Sequence, residues 1–220
     1  MRIQWYGHAA FLIETQGARI ILDPYRSPDC GGYEPIQEPA DVVVVSHEND
    51  RYHSHLGQIV PPFHVIRALE LPDEGEDFRG VPIKAVRVFE TPERKPGDEV
   101  AIIHFQSEGL HVVFLGDLGH LLSEPELAPI RNADILLVPA GGTPTIHLDD
   151  VAALVDSIGP KVVIPMHFKT PKIDLDIQPV ERFLERFPNV PVVTIAGPMV
   201  DVDRNSLPER RTIWRLPYVR

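Results

Sequence analysis

The sequence predicts an α/β domain, because short strands dominate its beginning and strands alternate with helices further on. Turn residues divide residues 2–22 into three short strands. Amphipathic patterns with start and stop residues predict helices over 147–158 and 179–187. Between and before these helices lie apolar runs rich in Val, Ile and Leu, which are typical of buried strands: 42–45, 135–138 and 162–165.

Length, charge and cysteine content narrow the class of protein. The 220 residues fit one domain over 1–220. The formal net charge of −11 argues against a nucleic-acid or anionic-membrane partner, both of which would need a basic surface. A small-molecule substrate is the expected partner. The single cysteine, Cys30, and the lack of a signal peptide or a membrane-spanning apolar run indicate a cytoplasmic protein. Whether the chain forms a homo-oligomer is left open.

The segment 41–55 is the strongest indication of function. An apolar run over 42–45 ends abruptly in a cluster of imidazoles, carboxylates and amides. Polar residues also follow other predicted strands, and ligands in α/β folds gather where strands end. We therefore expect four of these residues to converge: His47, Glu90, Asp117 and His167.

Four segments have weaker signals. Residues 24–40 and 90–99 are rich in Pro, Gly and charge, and are expected to be loops that shape a substrate entrance. Residues 56–60 fit a short helix stopped by two prolines. The tail over 203–220 is expected to be an irregular or edge segment without a site.

Six short motifs, in order along the chain, resemble those of the metallo-β-lactamase-fold hydrolases, and in particular of the L-ascorbate-phosphate lactonase-like branch. That resemblance implies a four-layer αβ/βα sandwich with its site along one edge. The motifs are Gly7-His8-Ala9, Ile21-Leu22-Asp23-Pro24, Val45-Ser46-His47, Leu115-Gly116-Asp117-Leu118-Gly119-His120, Val138-Pro139-Ala140-Gly141-Gly142 and Pro165-Met166-His167.

The resemblance also implies metal ligands, although the centre of the family motif is altered. By position, a first metal site would use His47, Asn49 and Glu90, and Asp117 would bridge to a second metal at His167. Three of these residues keep the family's ligand type: His47, Asp117 and His167.

The remaining ligands of the second site would be Arg51 and Tyr52. An arginine guanidinium stays protonated and cannot bind a cation, so the second site is not expected to hold a metal.

Three interpretations follow. In the first, one divalent ion is held by His47, Asp117 and Glu90, with Asn49 as a weak ligand, and Arg51 replaces the second cation by pairing with Asp117 or with a substrate anion. The mixed nitrogen and oxygen ligands favour Zn²⁺, with Mn²⁺ or Fe²⁺ as alternatives.

In the second interpretation, a local insertion lets His53 or His55 replace a lost ligand. In the third, no metal binds, and Arg51 fills the site through ion pairs with Glu90 and Asp117.

The functional hypothesis is a hydrolase that uses a metal-activated water on an ester, a lactone or a phosphoester. The alternative is a non-catalytic binding or interaction protein. Asp117, Arg51 and His120 are the candidate catalytic residues, although structural support is the more common role for a histidine such as His120. Other candidate pocket residues are His8, Tyr52, His53 and His55.

Overall fold

Two mixed β-sheets packed against each other form most of the molecule. The structure, a computed structural model, describes residues 1–220. A core of 51 buried residues contains side chains from both sheets, so the space between them is the main hydrophobic core.

The first sheet has six strands in the order β13-β1-β2-β3-β4-β5. Neighbours from β13 to β3 are antiparallel, whereas β3, β4 and β5 are parallel. Its strands are β1 (Arg2–Gly7), β2 (Ala10–Thr15), β3 (Ala18–Leu22), β4 (Val42–Val45), β5 (His64–Arg67) and β13 (Val200–Asp201).

The second sheet has eight strands in the order β12-β14-β11-β10-β9-β8-β7-β6. The strands from β6 to β9 pair antiparallel, and those from β9 to β12 pair parallel. Its strands are β6 (Glu76–Phe78), β7 (Val81–Phe89), β8 (Glu99–Ser107), β9 (Leu110–Phe114), β10 (Ile135–Pro139), β11 (Val162–Met166), β12 (Val192–Thr194) and β14 (Thr212–Arg215).

The helices are few and short. They are α1 (Glu124–Leu127), α2 (Leu148–Ile158) and α3 (Val180–Leu184). The His147 side chain caps α2 by accepting a hydrogen bond from the Asp149 amide, and Gly159 ends the helix with a φ of 73°. No helix is both long and apolar enough to cross a membrane.

The long loop over 24–40 covers part of the first sheet. Tyr25, Tyr33 and Ile36 from this loop are buried with Leu12 and Val43 in a second, smaller core. At least part of this loop therefore packs as a structural layer, in addition to any role at a substrate entrance.

Two sequence expectations differ from the structure. Residues 56–60 form turns instead of a helix, because the following Pro61-Pro62 leaves too few residues for a stable helical segment. The tail contains β14, which lies inside the second sheet between β11 and β12 and buries Ile213. Arginines flank the apolar residues of this strand on both sides, so its short apolar stretch does not stand out as a buried strand in the sequence.

A cavity of about 550 Å³ lies over β7, β8 and β9, and includes His104, His111 and Lys84 in its wall. The rings of His104 and His111 are 5.6 Å apart and meet edge to face. Burial, then His111 and Lys84, lowers the pKa of His104 to about 4.

This low pKa predicts a pH-dependent loss of stability. The unfolded chain takes up a proton at His104 near the ordinary pKa of 6.5, whereas the folded chain takes it up only near pH 4. Proton uptake therefore favours the unfolded state increasingly as the pH falls from 6.5 toward 4, and this loss of stability is absent above pH 6.5. In urea unfolding at pH 7.5 and pH 4.5, His104→Gln should lose less stability between the two pH values than the wild type. An equal loss in both proteins would contradict the assignment.

Candidate metal centre

Polar side chains from both sheets meet at one edge of the molecule, where strands end. His8 lies in the turn between β1 and β2, and Asp23 directly follows β3. His47 follows β4, Asp117 lies three residues beyond β9, and His167 directly follows β11. All five side chains are buried, as expected for groups gathered between two sheets at their strand ends.

The backbone turns sharply at three of these residues. His8, Asp23 and His167 have φ values of 50°, 43° and 48°, in the left-handed region that non-glycine residues rarely occupy. Such backbone strain costs on the order of 1 kcal/mol or more per residue and is concentrated at functional sites. The His167 amide also donates to the His8 carbonyl at 2.9 Å, which joins the two sheets at this point.

A histidine between two carboxylates forms the centre of the cluster. The Nδ1 atom of His53 lies 3.0 Å from Asp23 Oδ2, and its Nε2 atom lies 2.9 Å from Asp117 Oδ2. His167 Nε2 is 3.6 Å from the other oxygen of Asp117. His53 reaches this position because the Asn49 carbonyl accepts hydrogen bonds from three successive amides, of residues 52–54, which curls the loop inward.

Ser46 orients both Asp23 and His47. Its amide donates to Asp23 Oδ1 at 2.7 Å, and its hydroxyl donates to Asp23 Oδ2 at 2.5 Å. Because the hydroxyl proton is used there, the contact of 3.0 Å between Ser46 Oγ and His47 Nδ1 requires Nδ1 to be the donor. The Nε2 atom of His47 is then unprotonated.

Several buried polar atoms of the cluster have no hydrogen-bond partner. Such atoms are rare, because each unmade hydrogen bond in a buried site costs about 1–3 kcal/mol. Their concentration indicates that the cluster is built for a group that is not part of the chain. The atoms are both ring nitrogens of His8, Nε2 of His47, Nδ1 of His167 and Oδ1 of Asp117.

The donor atoms fit a metal ion in two overlapping groups. One consists of His8, His53 and His167, and the other of Asp23, His47 and His53; within each, the atoms able to bind lie within 4.8 Å of one another. Both oxygens of Asp23 are already engaged, whereas the imidazoles of His8 and His167 have free nitrogens. The first group is therefore the better metal site, and three imidazoles are a common zinc set.

The electrostatics of the cluster match this assignment for His8 and His167, whereas His53 would have to lose its Nε2 proton before it could bind a cation. Burial alone would lower the pKa of His53, but Asp117 and Asp23 raise it to about 10. Burial lowers the pKa of His8 well below its ordinary value, and the neighbouring His167 lowers it further. Burial also lowers the pKa of His47 and His167, so these imidazoles are neutral and have lone pairs for a cation.

Asp117 is ionised at neutral pH. Burial alone would raise its pKa, but His53 and then His167 hold the pKa of this carboxyl well below its usual range. Its negative charge therefore lies directly beside the imidazoles that could hold a cation.

Asp117 lies outside both donor groups, and so do two other residues predicted as ligands, Asn49 and Glu90. Asn49 is half-buried, and its backbone carbonyl organises the loop that positions His53. Glu90 is also half-buried, and burial followed by the nearby Asp117 raises its pKa. The ligand roles expected for these two side chains stay predictions from the resemblance.

Arg51 is exposed and does not enter the cluster. Its Nε atom donates to the Asp29 carbonyl at 2.7 Å, and its guanidinium lies 4.9 Å from the centre of the Tyr52 ring. The ion pairs expected between Arg51 and Asp117 or Glu90 are not formed. The preceding turn directs the arginine toward solvent, whereas Tyr52 contacts the His8 ring at 5.2 Å.

The two histidines after Tyr52 point in different directions. His53 is buried in the cluster, whereas His55 is partly exposed and contacts Asp50 at 3.0 Å. Of the two replacements considered from the sequence, only His53 lies where a ligand could be.

His120 is engaged by the backbone. Its Nε2 atom accepts a hydrogen bond from the Phe89 amide at 3.1 Å, so its Nδ1 atom donates to the Leu121 carbonyl at 2.7 Å. This arrangement joins the end of β7 to the loop after β9 and matches a supporting role. Gly119 is required at the same junction, because a Cβ atom there would lie 1.7 Å from the Glu90 carbonyl oxygen.

Asp23 was not among the site residues expected from the sequence. It looks like an ordinary turn residue before Pro24, although it directly follows a buried strand, and His47 and His167 likewise lie within two residues of a strand end. That shared position was the available signal.

Comparison with known proteins agrees with the fold. Residues 2–167 match the family described as beta-lactamase superfamily domain. A UPF0173 metal-dependent hydrolase from Caldivirga maquilingensis is 30% identical over 79% of this chain and 85% of its own length. A UPF0173 protein from Pyrococcus abyssi is 28% identical over 77% of this chain and 84% of its own length.

A solved structure supports the same relationship. A protein from Thermotoga maritima, named as a candidate zinc-dependent hydrolase of the metallo-β-lactamase superfamily, aligns with a TM-score of 0.77 and 30% identity over 98% of this chain and 97% of its own. The expected metallo-β-lactamase fold is thereby confirmed, with two mixed sheets and few helices. The chain belongs to the beta-lactamase superfamily and, within it, to the UPF0173 metal-dependent hydrolase family.

Proposed function

We propose that the protein is a metal-dependent hydrolase that cleaves an ester, lactone or phosphoester bond. One observation carries the proposal: unpartnered, neutral imidazole nitrogens are buried beside an ionised carboxylate in a family whose members are named metal-dependent hydrolases. The resemblance of the sequence motifs to the L-ascorbate-phosphate lactonase-like branch supports the choice of bond types. The substrate is expected to be a small molecule.

The ion would be held by His8, His167 and, once its Nε2 atom has given up its proton, His53, with Asp117 beside two of these rings. Zn²⁺ suits three imidazoles best, and Mn²⁺ or Fe²⁺ are alternatives. When bound, the cation supplies Lewis acidity that activates water toward a carbonyl carbon or a phosphorus centre.

The residues around the ion orient the ligands and handle protons. Asp23 accepts from His53 Nδ1 and so directs Nε2 of that ring toward the cluster, which is a common arrangement behind metal-bound histidines. Ser46 fixes Asp23 in turn. The unprotonated Nε2 atom of His47 belongs to the most exposed imidazole of the cluster, and it can accept a proton from the attacking water.

The non-catalytic alternative is supported by one observation. His53, positively charged and placed between Asp23 and Asp117, neutralises part of the buried negative charge without a metal. Metal content separates the two functions.

Metal binding should depend on His8 and not on His55. After reconstitution with Zn²⁺ and removal of excess metal, the wild type should contain about one equivalent by elemental analysis, as should His55→Ala. His8→Phe should contain well under half an equivalent. Because the His8 ring makes no hydrogen bond through either nitrogen, the metal-free His8→Phe protein should unfold at the same temperature as the wild type or higher. No metal in the wild type, or full metal in His8→Phe, would count against the site.

Hydrolysis should depend on Asp117. A panel of 4-nitrophenyl esters, lactones and phosphoesters should be tested with the zinc-loaded wild type, Asp117→Asn and Asp150→Asn. The last variant is the control, because Asp150 is a carboxylate on α2, far from the cluster in sequence. Removing the charge of Asp117 should lower kcat by about 100-fold or more, because it lies beside the metal ligands. Asp150→Asn should match the wild type. Equal activity of Asp117→Asn and wild type would refute the proposed function.

A further inference from the structure

Arg51 has hydrogen-bonding capacity that the protein does not use. Only its Nε atom has a partner, the Asp29 carbonyl, and the guanidinium forms no ion pair. Both terminal nitrogens are therefore available, and a guanidinium binds a carboxylate through two parallel hydrogen bonds.

Asp29 and Asp50 do not neutralise Arg51, because other residues occupy them, and Asp174, which lines the same cavity, forms no ion pair with it. Arg26 pairs with Asp29 and with Asp50, each at 2.6 Å. The second oxygen of Asp50 contacts His55 at 3.0 Å. Arg51 thus remains a free cation in a chain of net charge −11.

A small cavity lies between Arg51 and the opposite loop. Its volume is about 210 Å³, and its wall consists of Gly31, Arg51, Tyr52, Ile173, Asp174 and Leu175. Ligand pockets for whole drug-sized molecules usually have about 300–1,000 Å³, so this cavity suits one end of a small molecule.

Tyr52 connects this cavity to the metal centre. Its ring lies 4.9 Å from the Arg51 guanidinium and 5.2 Å from the His8 ring. One aromatic ring therefore separates the free guanidinium from a candidate metal ligand. A small substrate could bind Arg51 with one end and place its reacting bond beside the imidazoles.

We propose that Arg51 and Tyr52 form the subsite for a carboxylate group, so that the substrate is a small ester or lactone that also carries one carboxylic acid. This inference rests on the proposed hydrolase function. Asp174 on the facing wall repels a phosphate dianion more strongly than a carboxylate with a single negative charge, which makes a single carboxylate the better partner of Arg51.

The kinetic test compares two esters of equal chain length. The substrates are mono-4-nitrophenyl glutarate, which carries a carboxylate, and 4-nitrophenyl pentanoate, which does not. Arg51→Gln should reduce the preference for the glutarate ester, as a ratio of kcat/KM values, by about tenfold, mainly through KM. The ratio for Arg51→Lys should lie between those of the wild type and Arg51→Gln. Arg210→Gln, which changes an exposed arginine elsewhere, should keep the wild-type ratio. An unchanged ratio in Arg51→Gln overturns the inference.

A binding test remains decisive if no ester is hydrolysed. Monomethyl glutarate, which carries one carboxylate, should be titrated into the full chain while the Nε–H signal of Arg51 is followed by NMR, with inorganic phosphate as the competing anion. Monomethyl glutarate should shift this signal at lower concentration than phosphate does, and Arg51→Gln should weaken its binding about tenfold. Tighter binding of phosphate, or equal binding of monomethyl glutarate by Arg51→Gln, overturns the inference. Absent hydrolysis with intact binding of monomethyl glutarate overturns only the hydrolase function.

Discussion

Compensation of buried negative charge is the constraint on which this site depends. Asp23 and Asp117 are almost inaccessible to solvent, and His53 lies between them within hydrogen-bonding distance of both. A buried carboxylate is tolerated only when it is paired and hydrogen-bonded, and removal of its partner is costly. Asp23 meets this requirement fully through Ser46 and His53, but Asp117 keeps an unpartnered oxygen. The cluster is therefore satisfied on one side and incomplete on the other.

The incomplete side is where function is expected. His8 and His167 turn into the cluster through strained backbone, and each has at least one nitrogen without a partner. A fold optimised for stability alone would fill this space with apolar side chains or with matched hydrogen bonds. Strained backbone and unpartnered polar atoms at the same strand ends are together explained by a cation that completes the cluster.

The sequence predicted the fold well and the site in part. Strand ends could be located from apolar runs, so the convergence of His47, Asp117 and His167 was predictable. The position of His53 was not, because it depends on how three amides share the Asn49 carbonyl, and no local pattern specifies that turn. The outward direction of Arg51 follows from the same turn.

Asp23 and the tail show two other limits. A carboxylate before a proline looks like a turn residue until its hydrogen bonds are known, and those bonds come from Ser46 and His53 in a distant part of the chain. The strand β14 is short and lies among arginines, so its burial results from tertiary packing and not from its own pattern.

The most direct test of the central claim is anomalous diffraction at the zinc absorption edge from crystals soaked in Zn²⁺. We predict one strong peak among the imidazoles of His8, His53 and His167, with the contact between His53 Nε2 and Asp117 rearranged to admit the ion. Absence of a peak at saturating zinc, with His53 still between Asp23 and Asp117, would contradict the account and leave a metal-free member of a hydrolase family.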